Sequence, residues 1–169
     1  MKKKLSKISA LVLCIIFPLS LFSCAEEGIS ADEIAFKLLN LYPDIPSCTQ
    51  YIKYAEKYTA GYISPEDFSF LYTGQKTRLP EWDLIEEFRI IVSDSTEFFE
   101  IHVIKAKNAT DIEELSKLLG RRESLLKLYN KEEGDFPAKK PEIFTRGRYI
   151  VLLATCDNDS AIRLLKKLL

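Results

Sequence analysis

Few side chains in this sequence have scope for chemistry. His102 is the single histidine, and it falls in Phe99-Glu100-Ile101-His102-Val103, where apolar and polar residues alternate. As a general base it needs a nucleophile within reach. As a zinc ligand it needs a cluster of His, Cys or Asp beside it. No Gly-x-Ser-x-Gly elbow, phosphate loop or Gly-x-Gly-x-x-Gly run accompanies it. The alternation puts His102 on the wetter side of a strand, which is the place of an ordinary surface histidine. Glu86-Glu87 and Glu132-Glu133 are paired acids, but such runs are usually solvated, and a glycosidase pair is defined by separation in space rather than in sequence. No catalytic residue, metal or cofactor is therefore expected.

Arg122 is the residue out of place. The positions Ile112, Leu115, Leu119, Arg122, Leu126 and Tyr129 are spaced by three and four, an apolar helical stripe that an arginine interrupts. Its head must reach the edge of the stripe or meet a partner. A carboxylate such as Glu100 or Asp83 is the first reading; contact with a ligand or partner protein is the second. Arg121, one position earlier, is expected to point to water.

The thiol of Cys24 has a more definite prospect. Met1–Lys4 and Lys7 form a basic start, and the apolar run from Leu11 to Phe22 is too short for a span of ~20 residues but has the length of a signal-peptide core. Leu21-Phe22-Ser23-Cys24 follows. It resembles a bacterial lipobox in Leu21 and Ser23, with Phe22 bulkier than usual. There the thiol accepts a diacylglycerol, and the small residue before it admits the peptidase. An ordinary secreted chain cleaved nearby is the competing reading. Residues 1–23 are thus expected to be a signal, 24–29 a tether and 30–169 one domain held by lipid at the outer face of the cell membrane. Cys48 and Cys156 remain, either as a disulfide outside the cytoplasm or as two unpaired buried thiols.

The whole chain carries 24 basic and 25 acidic residues. Four of the basic ones (Lys2, Lys3, Lys4, Lys7) precede Cys24, so the remainder is net −5. An acidic domain without a basic patch offers no footprint for nucleic acid. About 145 residues are enough for one domain with a real core.

Ser30 to Glu33 is a capping box that opens a helix lined by Ile34, Leu38 and Leu41 and stopped by Pro43 and Pro46. Thr49 to Ile63 is ambiguous between extended chain and frayed helix. Ser64-Pro65-Glu66-Asp67 starts a short helix that Gly74 ends. Glu87–Val92 and Phe98–Ala106, separated by Ser93-Asp94-Ser95-Thr96, read as a hairpin. Thr110 to Glu113 is a second capping box, for a helix running to about Asn130. After a polar loop come Glu142–Thr145, a turn at Arg146-Gly147, the strand Arg148–Thr155 and a helix capped at Asp157. The order ββα-ββα after a helical N-terminal section predicts an α+β domain: an antiparallel sheet of two hairpins with helices on one face. The aromatic residues Tyr51, Tyr54, Tyr58, Tyr62, Phe68, Phe70, Tyr72 and Trp82 are either core, the favoured reading, or a sticky surface for glycan or protein.

The string Phe99-Glu100-Ile101-His102-Val103-Ile104-Lys105-Ala106-Lys107, the helix holding Arg121-Arg122-Glu123-Ser124-Leu125, and Gly147-Arg148-Tyr149-Ile150-Val151 together resemble the DUF4358 family of small Gram-positive lipoproteins, from about Ser64 onward. The resemblance implies location and fold and carries over no catalytic residue. It also implies a link to operons for O-acylation of envelope polymers. The expectation is a non-catalytic envelope module with a protein or glycan partner, the alternative being an accessory to, or an enzyme of, surface-polymer modification.

Overall fold

The computed structural model describes residues 28–94, 99–133 and 140–169. The proposed signal, Cys24 and Ser95-Thr96 of the hairpin turn lie outside the described residues, as do the side chains of Tyr129 and of Glu132-Glu133.

Among the described residues are four α-helices and five strands: α1 (Ala31–Leu39), β1 (Cys48–Ile52), α2 (Pro65–Thr73), β2 (Ile85–Ser93), β3 (Glu100–Ala106), α3 (Ile112–Glu133), β4 (Glu142–Arg146), β5 (Tyr149–Ala154) and α4 (Asn158–Leu168). The strands form one sheet in the order β1-β2-β3-β5-β4, and every neighbouring pair is antiparallel. The domain is α+β, as the order of elements predicts.

Local chemistry sets the element boundaries. The Ser30 side chain accepts the Glu33 amide at the start of α1, and Ser64 accepts the Asp67 amide at the start of α2, with Pro65 in the first turn. Gly74 closes α2 at φ 71, a left-handed turn that glycine enters without strain. The cap of α3 differs from expectation. Asn108 and Asp111, not Thr110 and Glu113, exchange the reciprocal bonds, because a 3-10 turn over Ala109–Asp111 precedes the helix proper. Leu41, counted on the first apolar stripe, lies beyond the end of α1 and is exposed; Tyr42 is the buried residue there. The ambiguous tyrosine-rich segment begins as the edge strand β1, pairing Thr49 with Val92 and Tyr51 with Ile90.

The larger correction concerns the layers. The helices cover both faces of the sheet, not one. Helices α2 and α3 pack over Phe88, Ile90, Ile104, Ile150 and Leu152. Helices α1 and α4 pack over Ile91, Ile101, Val103, Val151 and Leu153. Both sets of alternating residues in β3 and β5 are therefore buried. The polar letters Glu100 and His102 suggested a wet face, yet they lie under a helix that brings its own polar partner.

Candidate functional site

The residues on the α2/α3 side of β3 make a continuous polar chain. Glu100 and His102 are two apart on one strand, so both side chains rise from the same face. Tyr72 comes from the last turn of α2 and Arg122 from the middle of α3. The Tyr72 hydroxyl lies 2.8 Å from His102 Nδ1, and His102 Nε2 lies 3.0 Å from Glu100 Oε2. Arg122 closes the chain as a fork on both oxygens of Glu100. Its Nε donates to Oε2 at 3.0 Å, and Nη2 donates to Oε1. Its Nη1 donates to the Leu71 carbonyl at 3.1 Å, which ties α3 to α2. The first reading of Arg122 therefore holds with Glu100 as partner, while Asp83 is taken by Arg78 at 2.7 Å.

Burial and donor inventory together fix the protons. Arg122 only donates and an ionised Glu100 only accepts, so His102 Nε2 must carry a hydrogen. Nδ1 is then free to accept from Tyr72, and the imidazole is neutral. Electrostatics run the same way. Burial, joined by the Arg122 charge, holds the His102 pKa below its ordinary value against the pull of the neighbouring carboxylate. Burial by itself would raise Glu100, but hydrogen bonds from His102 and Arg122 and the Arg122 charge outweigh it and hold the carboxyl at about 2. Burial pushes the Tyr72 hydroxyl up.

This chain is sealed. His102 and Tyr72 are 0% exposed and Glu100 is 3% exposed, and the Arg122 side chain is 13% exposed. The surface histidine expected from alternation is thus a core histidine, because α2 and α3 cover its face. The group orders Tyr–His–Glu as a proton relay would, but none of the three reaches solvent. Its physical work is to fasten α2, β3 and α3 to one another.

Two further groups are not legible in the sequence, and the two remaining cysteines differ from both of their readings. Arg121, expected in water, has Nη1 3.2 Å from Glu81 Oε1 while its side chain stays 45% exposed. Glu81 is itself 3% exposed, and its Oε2 has no hydrogen-bond partner among the described residues. Lys53 leaves β1 and turns under the Trp82 ring, 5.2 Å from its centroid. It donates to the carbonyls of Trp82 at 2.8 Å and Ile85, and burial pushes its pKa down to about 8. Cys48 and Cys156 are both free thiols, the first half-buried and the second exposed. Burial pushes the Cys48 thiol up. Among the described residues no group of three His, Cys, Asp or Glu side chains converges as a metal site.

An open surface rich in aromatic rings lies on the other side of α2. A cleft of about 280 Å³ is lined by Tyr51, Tyr62, Ile63, Asp67, Phe70 and Leu71. Phe70 is 53% exposed at its rim, and Tyr54 and Tyr58 stand out from the loop after β1 at 70% and 88%. Lys76 sits 5.8 Å from the Phe70 ring centroid and pairs with Asp67 at 2.8 Å. The aromatic set of the sequence is thus divided. Phe68 and Tyr72 are core, and Trp82 is half-buried against them, whereas Tyr54, Tyr58 and Phe70 are surface.

Comparison with protein-family models, with curated proteins and with solved structures gives no match.

Proposed function

We propose that this chain is a membrane-anchored envelope module that binds a cell-surface polymer and performs no catalysis of its own. Lipid on Cys24, where Leu21-Phe22-Ser23 places the thiol, would hold it at the outer face of the membrane. The observation that carries the reading is the division of side chains across α2. The proton-transfer groups are closed off and satisfy one another, while the open cleft carries aromatic rings with phenolic edges. Rings of that kind lie flat against the C–H faces of sugar rings, and their hydroxyls bond the sugar hydroxyls at the rim. An enzyme acting on the same polymers would place its titratable groups in the open cleft.

The test is co-sedimentation of the protein with isolated cell-wall polymer, comparing the wild type with Tyr62→Ala/Phe70→Ala. Loss of roughly tenfold in affinity is expected from removing two contact rings. Unchanged binding by the double variant refutes the cleft. A specific envelope protein captured in a pull-down, with no retention on polymer, replaces the polymer by a protein partner.

A further inference from the structure

We infer that the end of the domain where the tether leaves is a docking surface for anionic phospholipid, so that the module lies on the membrane in one orientation. The inference deepens the anchored reading above and depends on it. Its first ground is the path of the chain into α1, which runs against Tyr149. The Ile29 carbonyl accepts the Tyr149 hydroxyl, and Ile29 packs into the core beneath α1 and α4. At Gly28 a Cβ atom would come 2.9 Å from the Tyr149 hydroxyl oxygen, so the chain passes close against that side chain. Cys24 is four residues before Gly28, a reach of at most ~14 Å. A lipid on Cys24 therefore keeps the Tyr149 end of the sheet within about one or two screening lengths of the headgroups.

The second ground is the charge at that end. Tyr149 pairs in register with Arg146 across the β4–β5 turn. Helix α4 runs back along the sheet, and its Lys166 carbonyl accepts Arg146 Nη1 at 2.9 Å, so the end of α4 meets the same corner. Arg163, Lys166 and Lys167 share one exposed face of α4 by their three- and four-residue spacing. Arg146, Lys166 and Lys167 have no carboxylate partner among the described residues. Other charges nearby cancel one another: Lys105 and Arg148 hold Glu86, Lys105 also holds Glu87, Asp32 holds Arg89 and Glu33 holds Lys37. Glu26 and Glu27 of the tether carry two negative charges, which the four basic side chains outnumber. A domain that is net acidic thus presents its uncompensated positive charge at the corner nearest its anchor, where anionic headgroups attract it. The aromatic cleft lies on the α2 face of the sheet, away from α4.

The experiment uses the mature lipidated protein, reconstituted into vesicles of phosphatidylcholine alone or mixed with phosphatidylglycerol. Hydrogen exchange is followed over residues 163–169, with residues 40–48, at the far end of the strands where Tyr42 meets Thr155 and Cys48 pairs with Ser93, as the internal reference. The expected result is roughly fivefold slower exchange of the α4 end on the anionic vesicles, no change at the reference, and loss of the difference in Lys166→Glu/Lys167→Glu, which stays anchored. Equal exchange on both vesicles overturns the docking surface and leaves the anchor standing. A Cys24 peptide whose mass carries no diacylglycerol overturns the anchor, and the docking surface with it.

Discussion

Helix α2 separates two regions made from the same kinds of residue. On its inner side Phe68 and Tyr72 are fully buried, and the Tyr72 hydroxyl ends in a hydrogen bond to His102. On its outer side Phe70 and Asp67 face a cleft shared with Tyr51 and Tyr62. The inner region joins a phenol, an imidazole and a carboxylate in one hydrogen-bonded chain and shows almost none of it to solvent. The outer region is accessible and carries rings, hydroxyls and one carboxylate already held by Lys76. The difference teaches that, in this domain, the presence of a histidine, a carboxylate and an arginine in contact speaks for stability, and that exposure decides where a ligand is met.

The largest expected effect breaks the inner region. Arg122→Ala leaves the Glu100 carboxylate buried without its cation, a loss of ~3–5 kcal/mol. The melting temperature falls by roughly 10 °C for a domain of this size. Arg121→Ala also strips a buried carboxylate, Glu81. Its cation is half exposed, so solvent screening makes that pair worth much less. The two variants should therefore rank Arg122 well above Arg121 in thermal unfolding. Equal melting temperatures would show that the fork on Glu100 adds nothing beyond an exposed pair.

Acid sharpens the same region. Glu100 has a folded pKa near 2, below its ordinary value, and His102 is also depressed. Both contributions are complete above the unfolded pKa values and are lost as pH falls, first below about 6.5 for His102 and then from about 4.5 toward 2 for Glu100. Urea unfolding of Glu100→Gln should show a large deficit near neutrality that shrinks as the pH drops through that window. A deficit independent of pH would mean that the carboxylate is not ionised in the folded protein.

A smaller effect is expected from Tyr72→Phe. It keeps the ring against Phe68, at a centroid distance of 4.8 Å, and removes the only hydroxyl hydrogen bonded to Nδ1. Leaving that nitrogen buried and unpaired costs ~1–3 kcal/mol in denaturant titration. The smallest stability effect belongs to the outer region. Phe70→Ala should change stability by no more than ~0.5 kcal/mol, since its ring is half in water.

What could be read in the sequence follows the range of the forces involved. The caps at Ser30, Ser64 and Asp157 are local hydrogen bonds, and the short sequence signals for them are sufficient. The interruption of an apolar stripe by Arg122 points to a carboxylate partner such as Glu100 or Asp83, and Glu100 is the one it meets. His102 is buried against expectation because alternation reports polarity and not coverage. Only α2 and α3 folding over that face, bringing Tyr72 and Arg122 with them, turn a wet strand into a dry one. Tyr54, Tyr58 and Phe70 could not be told from core residues for the same reason. Nothing in an aromatic side chain says whether a second layer will be laid over it. Glu81, at the start of a 3-10 turn between α2 and β2, gave no signal, since its burial depends on where α3 lands.

The most direct measurement places the two regions in one assay. Wild type, Tyr72→Phe and Tyr62→Ala/Phe70→Ala are compared for thermal unfolding and for retention on isolated cell-wall polymer. The account predicts that Tyr72→Phe melts lower yet binds as the wild type does, while the cleft variant melts normally and loses roughly tenfold in binding. The reverse pattern, with binding lost in Tyr72→Phe below its melting temperature and kept in the cleft variant, would contradict it and move the ligand to the sealed side of α2.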